Sequence, residues 1–312
     1  TEYVAQYAVP FDPGPFAGPE RDDWSTIARE LLGAQTRFVT GQRWTHRIIE
    51  QGTGVPLLLL HGVGGHAEVW SRNMSSLAHR GFRVIAVDVL YHGLSSKEPY
   101  DDHLRYEYQV DAVVDLLDAL GIERAHVEGE SMGATIAFHL GMRYTDRVGK
   151  VVLNTGFGHV ALEREDFVGP SKDYSELAHL SEQVLLDPSP EAMRARLEWV
   201  VADPASITQE MIDLRLRLYA DPGVNDAMRL IFRIGGNWDW DLPYTEADCA
   251  SYGPETLVLW TDQNPGQGPD LGDYVASLLP QGSFYCIPGA AHWPQWERPE
   301  EHDQVVGAFM QG

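Results

Sequence analysis

Cysteine is almost missing from this chain: Cys249 and Cys286 are the only two among 312 residues. A disulfide framework is thereby excluded as the source of stability, and two buried thiols suit a reducing compartment. Long apolar runs are missing too. No stretch of about 18 apolar residues occurs and the start is not signal-like, so no membrane partner is expected and the cytoplasm is the expected location. Basic residues are scarce, with 23 Lys and Arg against 46 Asp and Glu and a formal net charge of −23. Nucleic acid requires a basic patch and is excluded as a partner. No His/Asp/Cys cluster has metal-ligand spacing, so neither a metal nor an organic cofactor is expected. Repeats and low-complexity segments are absent. What is present is 44% hydrophobic content, enough for one full core plus a smaller appended unit. The oligomeric state is left open, and a homo-oligomer is compatible with this composition.

The most informative segment is Gly129-Glu130-Ser131-Met132-Gly133. It follows a strand-like run, Ala125–Val127, and precedes a helix-like run, Ala134–Phe138. A serine on such a tight strand-to-helix turn has its hydroxyl pushed out at the top of a sheet, and the glycines permit the crowding. The following helix aims free N–H groups and its positive dipole end at developing negative charge. Upstream, the apolar run Leu57–Leu60 leads into His61-Gly62-Val63-Gly64-Gly65. A Gly-rich loop at that place in the chain supplies one oxyanion-hole donor, and the residue after the serine supplies the other. The donors are Val63 (or Gly64) and Met132.

A general base comes near the end, where Ser283–Pro288 reads as a strand and Gly289-Ala290-Ala291-His292 as the turn after it. Histidine exchanges protons near neutral pH, and the order serine, acid, histidine singles out His292. Among the other histidines, His61, His66 and His92 lie in Gly-rich loops where they could line a pocket. His103, His126, His139 and His179 suit structural or exposed positions.

Eight strands are expected at Thr36–Thr40, Trp44–Glu50, Leu57–Leu60, Arg83–Asp88, Ala125–Glu128, Val148–Asn154, Thr256–Trp260 and Ser283–Pro288. The first two form a hairpin across Gly41-Gln42. Short apolar strands alternating with helices such as Arg105–Leu120 imply an α/β protein with a mostly parallel sheet flanked by helices. The strand order is similar to that of the α/β-hydrolase fold. Residues 36–155 and 251–312 form this core. Residues 156–250 read as an inserted helical cap, with helices over 194–202, 207–219 and 225–233 and prolines between them. Leu218, Tyr219, Ile231, Phe232, Trp238 and Trp240 are candidates to line the cleft beneath it. Residues 1–35 are an extension, a Pro-rich arm followed by a helix from Trp24 to Leu32 capped by Asp23.

Four segments resemble the meta-cleavage-product hydrolases, which cleave carbon–carbon bonds in ring-degradation products. They are Gly129–Gly133, His292-Trp293-Pro294-Gln295-Trp296-Glu297, the cap segment from Ile207 to Arg215, and the loop from Asp88 to Ser95. The resemblance spans about residues 45 to 310. It implies a 2-hydroxy-6-oxo-dienoate substrate whose carboxylate Arg215 grips, with Trp293 walling the site beside His292 and Gly64 in the loop facing the substrate. A bidentate guanidinium suits a carboxylate, and a local cation offsets the repulsion that the acidic chain exerts on an anion. Arg194, Arg196 and Arg217 lie nearby and could equally be the outward, solvated ones; the likeness to the family's cap favours Arg215.

The chain departs from the family pattern in three places. Tyr91 stands where the Asp88 loop has glycine. Gly64-Gly65-His66 stands where the first loop often has proline. The acid position after Trp260 is Asn264, and an amide orients a histidine without compensating an imidazolium as a carboxylate does. Asp262, and Asp239 or Asp241 near the end of the cap, are the alternatives. Serine, histidine and oxyanion loop serve a carboxylesterase or lactonase equally well. A non-catalytic binding protein on this fold is the alternative from another class, with Asn264 as its sign and the pairing of Ser131 with His292 against it.

Overall fold

The computed structural model describes residues 3–14, 26–97, 105–164, 166–167, 174–232 and 243–312. Its centre is a sheet of β1 (Val9–Pro10), β2 (Gln35–Thr40), β3 (Thr45–Gln51), β4 (Val55–Leu60), β5 (Phe82–Val87), β6 (Ala125–Glu130) and β7 (Val148–Asn154), with β10 (Thr256–Thr261) and β11 (Gly282–Ile287). The order is β1-β11-β10-β7-β6-β4-β5-β3-β2. Among the described residues only the β2–β3 and β3–β5 pairs are antiparallel. A two-stranded ribbon, β8 (Val160–Ala161) with β9 (Tyr244–Thr245), joins the two ends of the insertion.

The sheet is buried on both faces, which explains its continuous apolar strands. Alternate residues face opposite layers. Leu57 and Leu59 pack with Trp70, Met74, Val305 and Phe309 from one layer, while Leu58 and Leu60 pack with Val113, Leu117, Ile136 and Val275 from the other. The first of these clusters runs without a break into the cap through Met193, Leu197, Met211, Ile212 and Met228. The cap helices are Tyr174–Leu186, Pro190–Glu198, Gln209–Tyr219 and Pro222–Ile231. Pro190 and Pro222 begin helices rather than interrupt them, because the first turn needs no N–H from them. Ser189, Thr208 and Asp221 cap the three later helices by accepting from Ala192, Met211 and Val224 N–H groups.

Among the described residues the sheet has nine strands rather than eight, because the arm adds β1 parallel to β11. Asp273 holds it there by accepting from the N–H groups of Gln6, Tyr7 and Ala8. The helix expected over residues 24–32 covers only Ile27–Glu30 among the described residues, with Thr26 rather than Asp23 as its cap. Asp23 and Trp24 lie outside them. The carboxylate of Glu210, in the cap, accepts from Ile27 and Ala28 N–H at 2.6 and 3.2 Å, so the extension bridges core and cap. Cys249 is buried, Cys286 half-buried, and they form no disulfide. Among the described residues no helix is long and apolar enough to cross a membrane.

Candidate active site

Ser131 sits between β6 and the helix Met132–Arg143 with φ 54 and ψ −115, a left-handed backbone that costs a non-glycine residue about 1–3 kcal/mol. The surroundings enforce it. A Cβ on Gly129 would lie 2.0 Å from the Gly133 carbonyl oxygen, and one on Gly133 would lie 2.1 Å from that of Leu60. Both glycines are therefore demanded by close backbone approach. Met132 is the first residue of its helix, so its N–H has no partner within the helix.

His292 follows β11 and is buried. Its Nδ1 lies 2.7 Å from Asn264 Oδ1. Asn264 donates from Nδ2 to the Gln267 carbonyl at 3.0 Å, which turns its oxygen to the imidazole. Nδ1 is thus the protonated nitrogen, and Nε2 keeps its lone pair for a proton. Burial pushes the His292 pKa down to about 3, with the Arg196 guanidinium adding to the effect. Asp262 does not reach the ring: its Oδ1 accepts from Gly289 N–H at 2.7 Å. Asp239 and Asp241 lie outside the described residues.

The loop bearing His292 is fixed from both sides. Thr155 Oγ1 donates to the His292 carbonyl at 2.9 Å, and His292 N–H donates to Val200 of the cap at 2.9 Å. Glu297 joins the two units, accepting from Ala291 N–H with one oxygen and from Ala202 and Asp203 N–H with the other. The glutamate of the His-Trp segment therefore locks the histidine loop to the cap.

A cavity of about 680 Å³ opens over Ser131 and His292. Val63 and Met132 line it, as do Trp293, Ile231 and Phe232. Leu218 and Tyr219 do not; the Tyr219 hydroxyl instead donates to the Gly64 carbonyl at 3.1 Å. Gly64 thus meets the cap rather than the cavity, and its φ of 72 and the tight contact with Tyr219 and Phe232 require glycine. Trp238 and Trp240 lie outside the described residues. His61, His66 and His92 are buried but do not line the cavity; Nδ1 of each turns to its own loop, meeting the Gly62 carbonyl, Glu68 and the Leu90 carbonyl.

Two of these four arginines turn inward, Arg215 as expected and Arg196 besides. Arg215 is 1% exposed, its Cζ 5.3 Å from the Trp293 ring, and its Nε and Nη2 have no hydrogen-bond partner among the described residues. It stands behind the lining residues rather than among them. Arg196 does line the cavity, with Nε donating to Ser181 Oγ at 2.9 Å and Nη1 without a partner. Arg217 is exposed and Arg194 half-buried. Burial lowers the pKa of Arg215 to about 10 and that of Arg196 from its usual value. Arg196 had a readable signal: it shares a helix face with Met193, Leu197 and Val200. Glu130, hidden in a variable position of the serine motif, also lines the cavity; Gly62 N–H donates to its Oε2 at 2.7 Å.

The α/β-hydrolase fold family matches residues 55–299. The chain belongs to that family. Among its relatives is the 2-hydroxy-6-oxononadienedioate/2-hydroxy-6-oxononatrienedioate hydrolase of Paraburkholderia phymatum, 30% identical over 81% of this chain and 86% of that protein. Another is a 2-hydroxymuconate semialdehyde hydrolase of a Pseudomonas species, 27% identical over 91% and 94%. The solved 2-hydroxy-6-oxo-6-phenylhexa-2,4-dienoate hydrolase of a Rhodococcus species shares the fold, with TM-score 0.78 and 21% identity over 89% of this chain and 99% of that one. The hydrolase thus stands with the meta-cleavage-product hydrolases. Among its described residues no cluster of His, Cys, Asp or Glu is placed to hold a metal ion.

Proposed function

We propose that the chain hydrolyses a carbon–carbon bond in a 2-hydroxy-6-oxo-dienoate ring-cleavage product. The observation that carries the reading is the pair of buried arginines beside Ser131 and His292. Arg196, in a cavity otherwise lined mainly by apolar groups, and Arg215, behind that lining, keep guanidinium nitrogens without hydrogen-bond partners among the described residues. A buried cation left unpaired is costly, and an incoming carboxylate removes the cost. The substrate is then a small anion with an apolar body, as the names of the relatives describe for theirs.

With that carboxylate at Arg196 and the field of Arg215 behind it, the far carbonyl lies toward Ser131. Once the dienol has tautomerised to its keto form, Ser131, or a water it activates, attacks that carbonyl; His292 Nε2 takes the proton and gives it to the carbon released as the carbon–carbon bond breaks, and where Ser131 carries the acyl group a water then hydrolyses it. Val63 and Met132 N–H groups hold the oxyanion. The acidic balance and two thiols suit work in the cytoplasm. The test is bleaching of a coloured 2-hydroxy-6-oxo-dienoate beside hydrolysis of an aryl ester. Dienoate turnover that vanishes with Ser131→Ala supports the reading, and ester turnover with the dienoate untouched overturns it in favour of an esterase or lactonase.

A further inference from the structure

Strand β6 carries two carboxyl side chains in a buried parallel strand, Glu128 and Glu130. Glu128 Oε1 meets His302 at 2.6 Å and accepts from Asn154 at 3.0 Å. Glu130 is different. Its Oε2 accepts from Gly62 N–H, but its Oε1 has no hydrogen-bond partner among the described residues and lies 3.3 Å from His292 Nε2. That is the nitrogen left bare by the Asn264 contact, and the one that must receive the serine proton. An imidazolium formed here meets only an amide oxygen at Nδ1, so the negative charge has to come from the other side of the ring.

We propose that Glu130 is the positioning carboxylate of His292, acting at Nε2 in place of the acid that position 264 lacks. This rests on the serine–histidine reading of the site but not on the identity of the substrate. In the working form Glu130 is ionised and His292 neutral. As Oγ of Ser131 bonds to the electrophile, the O–H bond breaks and its proton goes to Nε2, while the electrophile's double-bond pair moves onto its oxygen. The imidazolium then faces Glu130 Oε1 and keeps Nδ1–H on Asn264. When Glu130 holds a proton, its O–H instead faces the Nε2 lone pair and competes with the serine.

Burial favours that protonated state and pushes Glu130 up to about 8. The Gly62 N–H, Arg215 and Arg196 from their two cap helices pull it down, while Glu128 on the same strand pushes it up. With His292, these are the groups that set when the carboxylate appears.

The test is the rate at which a fluorophosphonate labels Ser131, followed by intact mass from about pH 5.5 to 9.5. Glu130→Gln keeps an oxygen for Gly62 N–H but cannot ionise, so a merely structural role would leave the pH profile unmoved. The native protein is expected to label faster as pH rises through about 8. Glu130→Gln is expected to lose that rise and to label about 10²-fold more slowly at high pH. Adding Asn264→Asp to it is expected to restore at least about tenfold. A Glu130→Gln protein with the native rate, a slowed one that keeps the rise, or a double variant as slow as the single overturns the proposal. Should Glu130→Gln not fold, Asn264→Asp alone decides. Labelling near pH 6 is expected to rise about tenfold, and an unchanged rate overturns the proposal. Loss of dienoate turnover with this labelling pattern intact overturns the substrate reading alone.

Discussion

Replacing Arg196 by methionine separates binding from folding in one residue. The change keeps the volume of a long side chain on the buried face shared with Met193 and Leu197, and removes a cation that is 5% exposed. Among the described residues that cation donates from Nε to Ser181 and its Nη1 has no partner. Losing the bond costs about 1 kcal/mol. Relief of the buried charge returns more, and apolar replacements of buried ions gain about 1–4 kcal/mol in comparable cases. The variant should be more stable, with a melting temperature a few degrees higher at about 2–4 °C per kcal/mol. Binding moves the other way. A charge-assisted hydrogen bond to a carboxylate is worth about 1.5–3 kcal/mol, so kcat/KM for a dienoate should fall about 10- to 150-fold. A neutral aryl ester makes no such contact and, assayed near pH 9.5 where Glu130 is ionised, should stay within about threefold of the native rate. Thermal melts and steady-state kinetics on both substrates measure the three quantities. A variant that melts lower and binds the dienoate as before would refute the assignment and make Arg196 a structural ion.

Three other perturbations have signs fixed by the structure. Tyr91→Gly relieves a φ of 74 worth about 1–2 kcal/mol but empties a fully buried aromatic site worth about 3–5 kcal/mol; urea melts should show a net loss of about 1–4 kcal/mol, and a gain would mean that strain dominates. Glu210→Ala removes the acceptor for Ile27 and Ala28 N–H, costing about 1 kcal/mol, and should speed protease cleavage between residues 26 and 34 without altering cleavage elsewhere. For His302, burial lowers the pKa, but the carboxylates of Glu128 and Asp303 outweigh it and hold the pKa near 10. Because this lies above the unfolded value of 6.5, the folded state binds more protons between those limits. Stability should therefore fall as pH rises from about 6.5 to 10, and His302→Gln should flatten that slope.

The strands were legible because each parallel strand is buried on both faces and so reads as an apolar run. Observed limits such as Phe82–Val87 and Thr256–Thr261 lie within a residue or two of those read from sequence. Strand β1 left no such trace: its two residues are exposed, and what holds them is Asp273 grasping N–H groups some 265 positions away. The places of Ser131, at a strand-to-helix turn, and of His292, after a strand, were legible because both positions have local sequence patterns. The Gly-rich loops misled for the opposite reason. Histidines there could point anywhere, and His61, His66 and His92 turned back to satisfy their own loops. Glu130 escaped because the serine motif treats its position as free, although two glutamates in one buried strand were a readable oddity.

That oddity connects the site to the charge of the whole molecule. A chain carrying −23 should repel an anionic substrate. Yet the residues that meet the substrate region are withdrawn from solvent, where a nearby charge outweighs the distant, screened surface field. Arg196 and Arg215 therefore present a local positive field inside an acidic protein. The same two cations pull Glu130 toward its ionised form against the burial that opposes it. A bound carboxylate would neutralise part of that positive field and so make Glu130 harder to ionise. Substrate anchoring and proton transfer at His292 are then coupled through the same two guanidinium groups, although Arg196 and Arg215 belong to the cap and Glu130 to the central sheet.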